Sequence, residues 1–271
     1  MKLTKKEENL ILDSEHQFIN LDGVEYFCKY AEGGGIELVA NKLAGIVGIN
    51  CSKDYIVNIN DELYYLSYSF YNIGDFKRGS DLMINKMFFS NSMYDLWNVF
   101  EKDYPHECQK LMFDLVKVFI FDIFLLNGDR HIGNFVVLNE NGKHSLYIYD
   151  NDNVFEAAFK ALIDSRLSSK DELKKYSEID LGQYTTLSME KNIKSLEYFL
   201  ATSSKEFNDL VVKFYHKLTP EVVESAFIEI EQNENIIIED KEYDMKLYKE
   251  NYRLIGDLLI ERGLINGQRI H

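Results

Sequence analysis

Asn127-Gly128-Asp129-Arg130-His131-Ile132-Gly133-Asn134, followed further on by Tyr149-Asp150-Asn151-Asp152, is the part of the chain whose reading decides the fold. Between the two lie Phe135-Val136-Val137-Leu138 and Ser145-Leu146-Tyr147-Ile148-Tyr149, strand-like runs flanking Asn139-Glu140-Asn141-Gly142-Lys143-His144. The Asn141-Gly142 pair is a hairpin signal, because both residues tolerate the left-handed backbone that a tight two-residue turn demands. Such a hairpin returns Asp150 to the side of Asn134. Two oxygen ligands on neighbouring strand ends suit magnesium, which is usually held by one or two carboxylates while water and substrate phosphates complete its octahedron. Taken singly, Asp129 and Asn134 read equally well as turn and cap residues, since Asp, Asn and Gly populate turns everywhere. Their joint spacing, with a hairpin between the two acidic positions, favours a metal-nucleotide site.

Asp129 and Asn134 have four residues between them, the separation of the aspartate and asparagine in a kinase catalytic loop. The string from Gly128 to Asn134, with Tyr147-Ile148-Tyr149-Asp150-Asn151-Asp152 after it, resembles the catalytic and metal-binding segments of HipA-like serine/threonine kinases. Its Gly-Asp-Arg-His-x-x-Asn core is shared with phosphatidylinositol kinases. The resemblance implies Asp129 as catalytic base, Asn134 as a magnesium ligand, and Asp150 as the second magnesium ligand in the role of the aspartate of Asp-Phe-Gly. Asp152 stands where that element has glycine, and either adds a metal ligand or solvates the loop. Arg130 and His131 belong to the motif in a supporting role, His131 as a brace of the catalytic loop. The resemblance further implies ATP and magnesium, a protein substrate with a Ser or Thr acceptor, and an antitoxin-like partner. The fold class it implies is α+β, a bilobal protein-kinase-like fold with a small β-rich N-lobe and a larger, mostly helical C-lobe. Full-size HipA toxins carry an additional amino-terminal subdomain that 271 residues are too few to contain, so a compact, core-only member is expected.

Elements toward the amino terminus follow the order a kinase requires. Val24 to Tyr30 alternates aromatic and polar residues as a strand does, and the stretch Ile36 to Val47 is helical in pattern. A kinase strand lysine contacts the α- and β-phosphates and pairs with a glutamate on the next helix, which makes Lys29 and Glu37 the candidates. The same residues also read as a solvated edge lysine and a helix-dipole glutamate. Gly33-Gly34-Gly35 follow the lysine rather than precede it, so they are a flexible connection and not a phosphate-gripping loop. With no Gly-x-Gly-x-x-Gly in residues 1–29, the phosphate-covering segment falls at Leu12 to Phe18. HipA-like kinases tend to depart from the glycine pattern there, and some are regulated by phosphorylation of a serine in this loop; Ser14 is the candidate. Tyr55 to Ile59 and Leu63 to Phe70 form an aromatic-rich hairpin leading into an interlobe hinge near Ser67-Tyr68-Ser69-Phe70, whose backbone would pair with an adenine edge. The lobes are expected to be 1–70 and 71–271.

Glu107 to Leu126 has hardly any polar face and reads as a buried helix that ends at Asn127-Gly128, giving the catalytic loop a rigid support. Ser203 to Lys217, Pro220 to Gln232 and Ile238 to Leu264 are amphipathic helices of a stabilising bundle. No Ala-Pro-Glu occurs, which leaves a peptide-binding surface unidentified. Acidic residues outnumber basic ones 45 to 30, a net charge of −15 spread along the chain, which disfavours direct contact with nucleic acid. Cys28, Cys51 and Cys108 show no Cys-x-x-Cys spacing, arguing against a zinc site or a disulfide framework. Without an apolar signal core or an apolar run of membrane-spanning length, a soluble cytoplasmic protein is expected, with no membrane partner. Two other readings remain: a lipid or small-molecule kinase, for which no basic headgroup-binding cluster is present, and a catalytically silent kinase fold acting as a binding module. The joint presence of Lys29, Asp129, Asn134 and Asp150 speaks against the latter.

Overall fold

Paired left-handed residues set the hairpins of the fold. Asp22-Gly23 (φ 49 and 86°), Asn60-Asp61 (54 and 68°) and Asn141-Gly142 (54 and 81°) each close a two-residue turn, the geometry whose twist matches that of the strands it joins. The computed structural model describes residues 3–14, 17–31, 34–83, 93–127, 130, 132–155, 158–161 and 185–266. Strands β1 (Gln17–Leu21), β2 (Val24–Tyr30), β4 (Asp54–Ile59) and β5 (Glu62–Tyr68) form an antiparallel sheet in the order β1-β2-β5-β4. A short β3 (Asn50–Cys51) leaves that sheet and pairs in parallel with β8 (Lys143–Ile148), which continues through β7 (Phe135–Glu140) to β6 (Asp75–Arg78). β9 (Ala158–Ala161) and β10 (Thr185–Ser188) make a separate antiparallel pair.

Helix α1 (Lys5–Leu12) begins with a capping box, Thr4 accepting from the Glu7 N–H while the Glu7 carboxylate accepts from the Thr4 N–H. It leads into β1 and buries Ile11 with Ile19, Tyr26, Cys28 and Leu66 as a small core over one face of the first sheet. Helix α2 (Gly34–Val47) follows β2 but gives its apolar face to the other side. Leu38, Val39, Leu43, Ala44 and Val47 share one large core with the remaining helices: α3 (Gly79–Met83), α4 (Met93–Asp103), α5 (Cys108–Leu125), α6 (Met189–Thr202), α7 (Lys205–Lys217), α8 (Pro220–Glu234) and α9 (Lys241–Glu261). Helix α2 is thus anchored in the helical body, reinforced by Lys42–Glu229 at 2.6 Å and by Lys217 Nζ donating to the Ile46 carbonyl at 2.6 Å.

The buried α5 ends one residue before the expected stop. Leu126, fully buried, takes the left-handed conformation (φ 54°) and its N–H donates to the Asp122 carbonyl. A left-handed leucine costs about 1–2 kcal/mol, so the packing of its side chain holds the turn where glycine would otherwise be chosen. Among the described residues, no helix is long and apolar enough to cross a membrane.

Candidate active site

Lys29 stands on β2 with its ammonium ringed by carboxylates: Glu37 Oε2 at 3.2 Å, Asp150 Oδ1 at 3.3 Å and Asp152 Oδ2 at 3.6 Å. Strand register explains the meeting. Lys29 lies opposite Tyr65 in β5, whose ring it covers at 5.1 Å, and α2 begins near enough that Glu37 in its first turn points back to the strand. The β7–β8 hairpin pairs Phe135 with Ile148, and the Tyr149 N–H donates to the Asn134 carbonyl at 3.2 Å. Asn134 and Asp150 therefore emerge side by side, as their spacing predicts, and Asp150 holds a left-handed backbone (φ 58°) that turns it toward Lys29. Phe155, also left-handed at φ 64°, donates its N–H to the Leu125 carbonyl at 2.7 Å and ties the far end of this segment to α5.

Burial works against the charge on Lys29, but Glu37, then Asp150 and Asp152, outweigh it and raise its pKa, so the lysine stays protonated. Glu37 is 2% exposed; its burial pushes its carboxyl above the usual carboxylate range, against the pull of Lys29. Carboxylate oxygens of Glu37, Asp150 and Asp152 lie within 4.8 Å of one another. Three acids share one ammonium there. That surplus of hard oxygen donors, with Asn134 alongside Asp150, fits a magnesium ion, and the arrangement gives Asp152 a place in the cluster that its position after Asp150 left open.

A second network holds this geometry. Arg130 is 2% exposed and all five of its N–H groups are bonded. Nε and Nη2 reach the two oxygens of Asp122 at 3.1 and 3.2 Å; Nη1 reaches the carbonyls of Asn134 (3.3 Å) and Tyr149 (3.2 Å); Nη2 also donates to Asn151 Oδ1. Asn127 Nδ2 completes Asp122 at 2.9 Å. From Asn151 the chain of bonds continues to Asn41 on α2 (2.7 Å), from Asn41 to Asp54 on β4, and from Ser52 Oγ to Asp54 at 2.6 Å. The Asn151 N–H donates to Glu37 Oε1 at 3.3 Å. Arg130 thus ties its own segment to the hairpin and to α5. Asp129 and His131 lie outside the described residues, as do Glu32 and Gly33.

In front of Lys29 opens a cavity of 410 Å³, the size range of small-ligand sites, bounded by Phe18, Phe27, the Ser67 to Tyr71 stretch, Arg78, Val136, Tyr149 and Asp150. The expected hinge indeed borders it. Its strand ends at Tyr68 rather than Phe70, and Phe70–Asn72 form a 3-10 turn. Within that hinge the Tyr68 N–H is committed to the Lys53 carbonyl (2.8 Å) and the Ser69 N–H to the Glu25 carbonyl (3.0 Å), so neither donor is open to a base. Ser69 Oγ to Glu25 (2.7 Å) and Asn72 Nδ2 to the Glu25 carbonyl (2.6 Å) pin the turn to β2. Ser14 is not brought to this cavity: it is buried after α1, its N–H on the Ile11 carbonyl and its own carbonyl accepting from Gln17. Arg78, Asp122, Asn41 and Asn151 escaped the sequence reading. Asp122 had a signal, a lone acid inside the apolar run Val118 to Leu126, because a charge in a wholly buried helix requires a partner.

A sheet whose lysine pairs with a glutamate of the following helix, joined to a helical body whose hairpin brings back an asparagine and two aspartates, defines the kinase-like fold. Two solved structures share this fold. The proinflammatory kinase CtkA of Helicobacter pylori superposes with a TM-score of 0.60 at 16% identity, over 91% of this chain and 93% of that one. HipA of Shewanella oneidensis MR-1, solved in a toxin-antitoxin complex with HipB and its operator DNA, superposes with a TM-score of 0.53 at 14% identity, over 89% of this chain and 58% of that one. No family model and no curated protein sequence matches the chain.

Proposed function

We propose that the protein is an ATP- and magnesium-dependent phosphotransferase that phosphorylates Ser or Thr hydroxyls of a protein substrate. The observation that carries the reading is Lys29, locked between Glu37 and Asp150 at the mouth of a cavity bordered by the hinge. In that arrangement Lys29 presents a permanent positive charge to the phosphates and Glu37 fixes its direction. Asp150 and Asn134 are the ligands for magnesium, which supplies charge neutralisation on the β- and γ-phosphate oxygens when bound. Asp129, by its place in the motif, accepts the proton of the acceptor hydroxyl. Little covalent help is needed, because a loose phosphoryl transition state responds chiefly to positioning and charge. The fold shared with a HipA solved with its antitoxin supports a regulatory protein partner of the same kind here.

Incubation with γ-labelled ATP and magnesium, offering dephosphorylated casein and phosphoinositide vesicles in parallel, tests the reading. Label on protein serine or threonine is the expected result; label on lipid alone would redirect it. Asp129→Ala should abolish transfer while nucleotide affinity stays within a few-fold, and retained transfer would remove Asp129 from the mechanism.

A further inference from the structure

A second and larger cavity, of 1010 Å³, opens on the other side of Asp152, where the ends of β2 and β5 and the start of α2 face the loop between α8 and α9. Gly35 allows that approach: a Cβ there would stand 2.9 Å from Ile238 Cγ1. Among the described residues the lining carries five carboxylates and no lysine, arginine or histidine. Asp244 is the informative one. It is 7% exposed, lines the cavity, and its carboxylate has no hydrogen-bond or ion-pair partner among the described residues. Burial, then the charge of Asp240, push it up to about 7. A buried carboxylate without compensation is costly, and a cation entering the cavity would relieve that cost.

The rest of the wall states what kind of cation fits. Ile237 (85% exposed), Tyr243 (56%) and Tyr30 (41%) gather at this rim, and exposed hydrophobic side chains clustered beside polar groups are a mark of a protein-binding surface. A metal ion is not suited, because the only three acids that converge among the described residues are those around Lys29. We infer that this cavity docks a basic segment of a partner protein, an arginine or lysine reaching Asp244 and Asp240 while its apolar neighbours cover Ile237 and Tyr243. The inference does not rest on phosphotransfer.

Fluorescence anisotropy with a labelled peptide of alternating arginine and leucine, titrated with the full chain at roughly physiological ionic strength, tests it. Binding should weaken at least about tenfold in Asp240→Asn/Asp244→Asn, and also in Ile237→Ser. Replacing exposed acids on α7, as Glu206→Gln/Asp209→Asn, should leave it within about twofold. The Asp244 change removes a buried charge, so that variant should melt no lower than the parent. Equal binding by parent and the Asp240/Asp244 variant, equal loss in the α7 control, or equal binding of a glutamate-leucine peptide would each overturn the proposal.

Discussion

Two charged clusters flank Asn151, and they are built on opposite principles. Around Arg130 every donor is used and the charge is balanced: one guanidinium, one carboxylate, both buried, with backbone carbonyls and an amide taking the remaining N–H groups. Around Lys29 three carboxylates crowd one ammonium at the edge of an open cavity. A saturated, enclosed network can only hold shape. An unbalanced, accessible one has oxygen donors to spare for a cation, which under the proposed function arrives with a polyphosphate. Arg130→Met breaks the first kind and should have the largest effect of any single change here. It leaves Asp122 buried and unpaired and strips donors from the Asn134 and Tyr149 carbonyls, a loss of about 3–5 kcal/mol in urea unfolding. Adding Asp122→Leu should restore most of it, since a well-packed apolar pair often replaces a buried ion pair without penalty. A loss below about 1 kcal/mol would mean that the network is not what holds the loop.

Asp244 sharpens the same contrast from the other side, as a buried aspartate with no partner where Asp122 has Arg130. In the folded chain it keeps its proton up to about pH 7, whereas in the unfolded chain it ionises near 3.8. The unfolded state therefore binds fewer protons over that interval, and stability falls as pH rises from about 4 to about 7 and stays lowered above it. Asp244→Asn should match the parent near pH 4 and exceed it by about 2 kcal/mol at pH 8, the full shift being reduced because one side of the carboxylate meets cavity water. Thermal unfolding across that pH range checks it, and Asp122→Asn should move stability downward throughout. Gly79 adds a smaller, steric test of the scaffold. A Cβ there would collide with the Ile132 carbonyl and the Phe135 ring, so Gly79→Ala must displace the Ile132–Asn134 turn. An expected cost of about 1–2 kcal/mol in unfolding should come with a drop in phosphotransfer larger than the drop in nucleotide affinity.

Local patterns carried most of the architecture. The bounds of β2 and the positions of α2, α5, the β7–β8 hairpin and the last three helices follow from periodicity and turn chemistry. Lys29 and Glu37 meet as a strand-then-helix order demands. What escaped depends on contacts distant in the chain. Helix α1 is not evident from its own sequence although Thr4 to Glu7 spells a capping box, because its short apolar face is completed only by β1 and β2. The handover of α2 to the helical core is likewise invisible locally, since its apolar residues do not reveal which neighbour they bury against. At the site, Asn41 and Asn151 look like ordinary polar residues, and only their juxtaposition makes them a link from Arg130 to Asp54. Ser14, named only as the serine of the expected phosphate-covering segment, has its backbone bonded to Ile11 and Gln17 and does not line the cavity.

The smallest stability effect should belong to Asp150, which the proposed function makes a metal ligand. Asp150 is half exposed and left-handed, a conformation that asparagine tolerates better than most residues. Asp150→Asn therefore keeps the backbone while removing one of three like charges beside Lys29. Mutual repulsion among the carboxylates eases and one ion pair with the lysine is lost, so unfolding free energy should change by no more than about 0.5 kcal/mol. Ligand-induced stabilisation is a different matter, because it measures how much more tightly the folded state holds the ligand. In the parent, ATP with magnesium should raise the melting temperature beyond ATP alone; in Asp150→Asn that magnesium increment should vanish while the increment from ATP alone persists through Lys29. Loss of both increments would mean that Asp150 also holds the nucleotide without the metal, and an undiminished magnesium increment would hand the metal to Asn134 and Asp152.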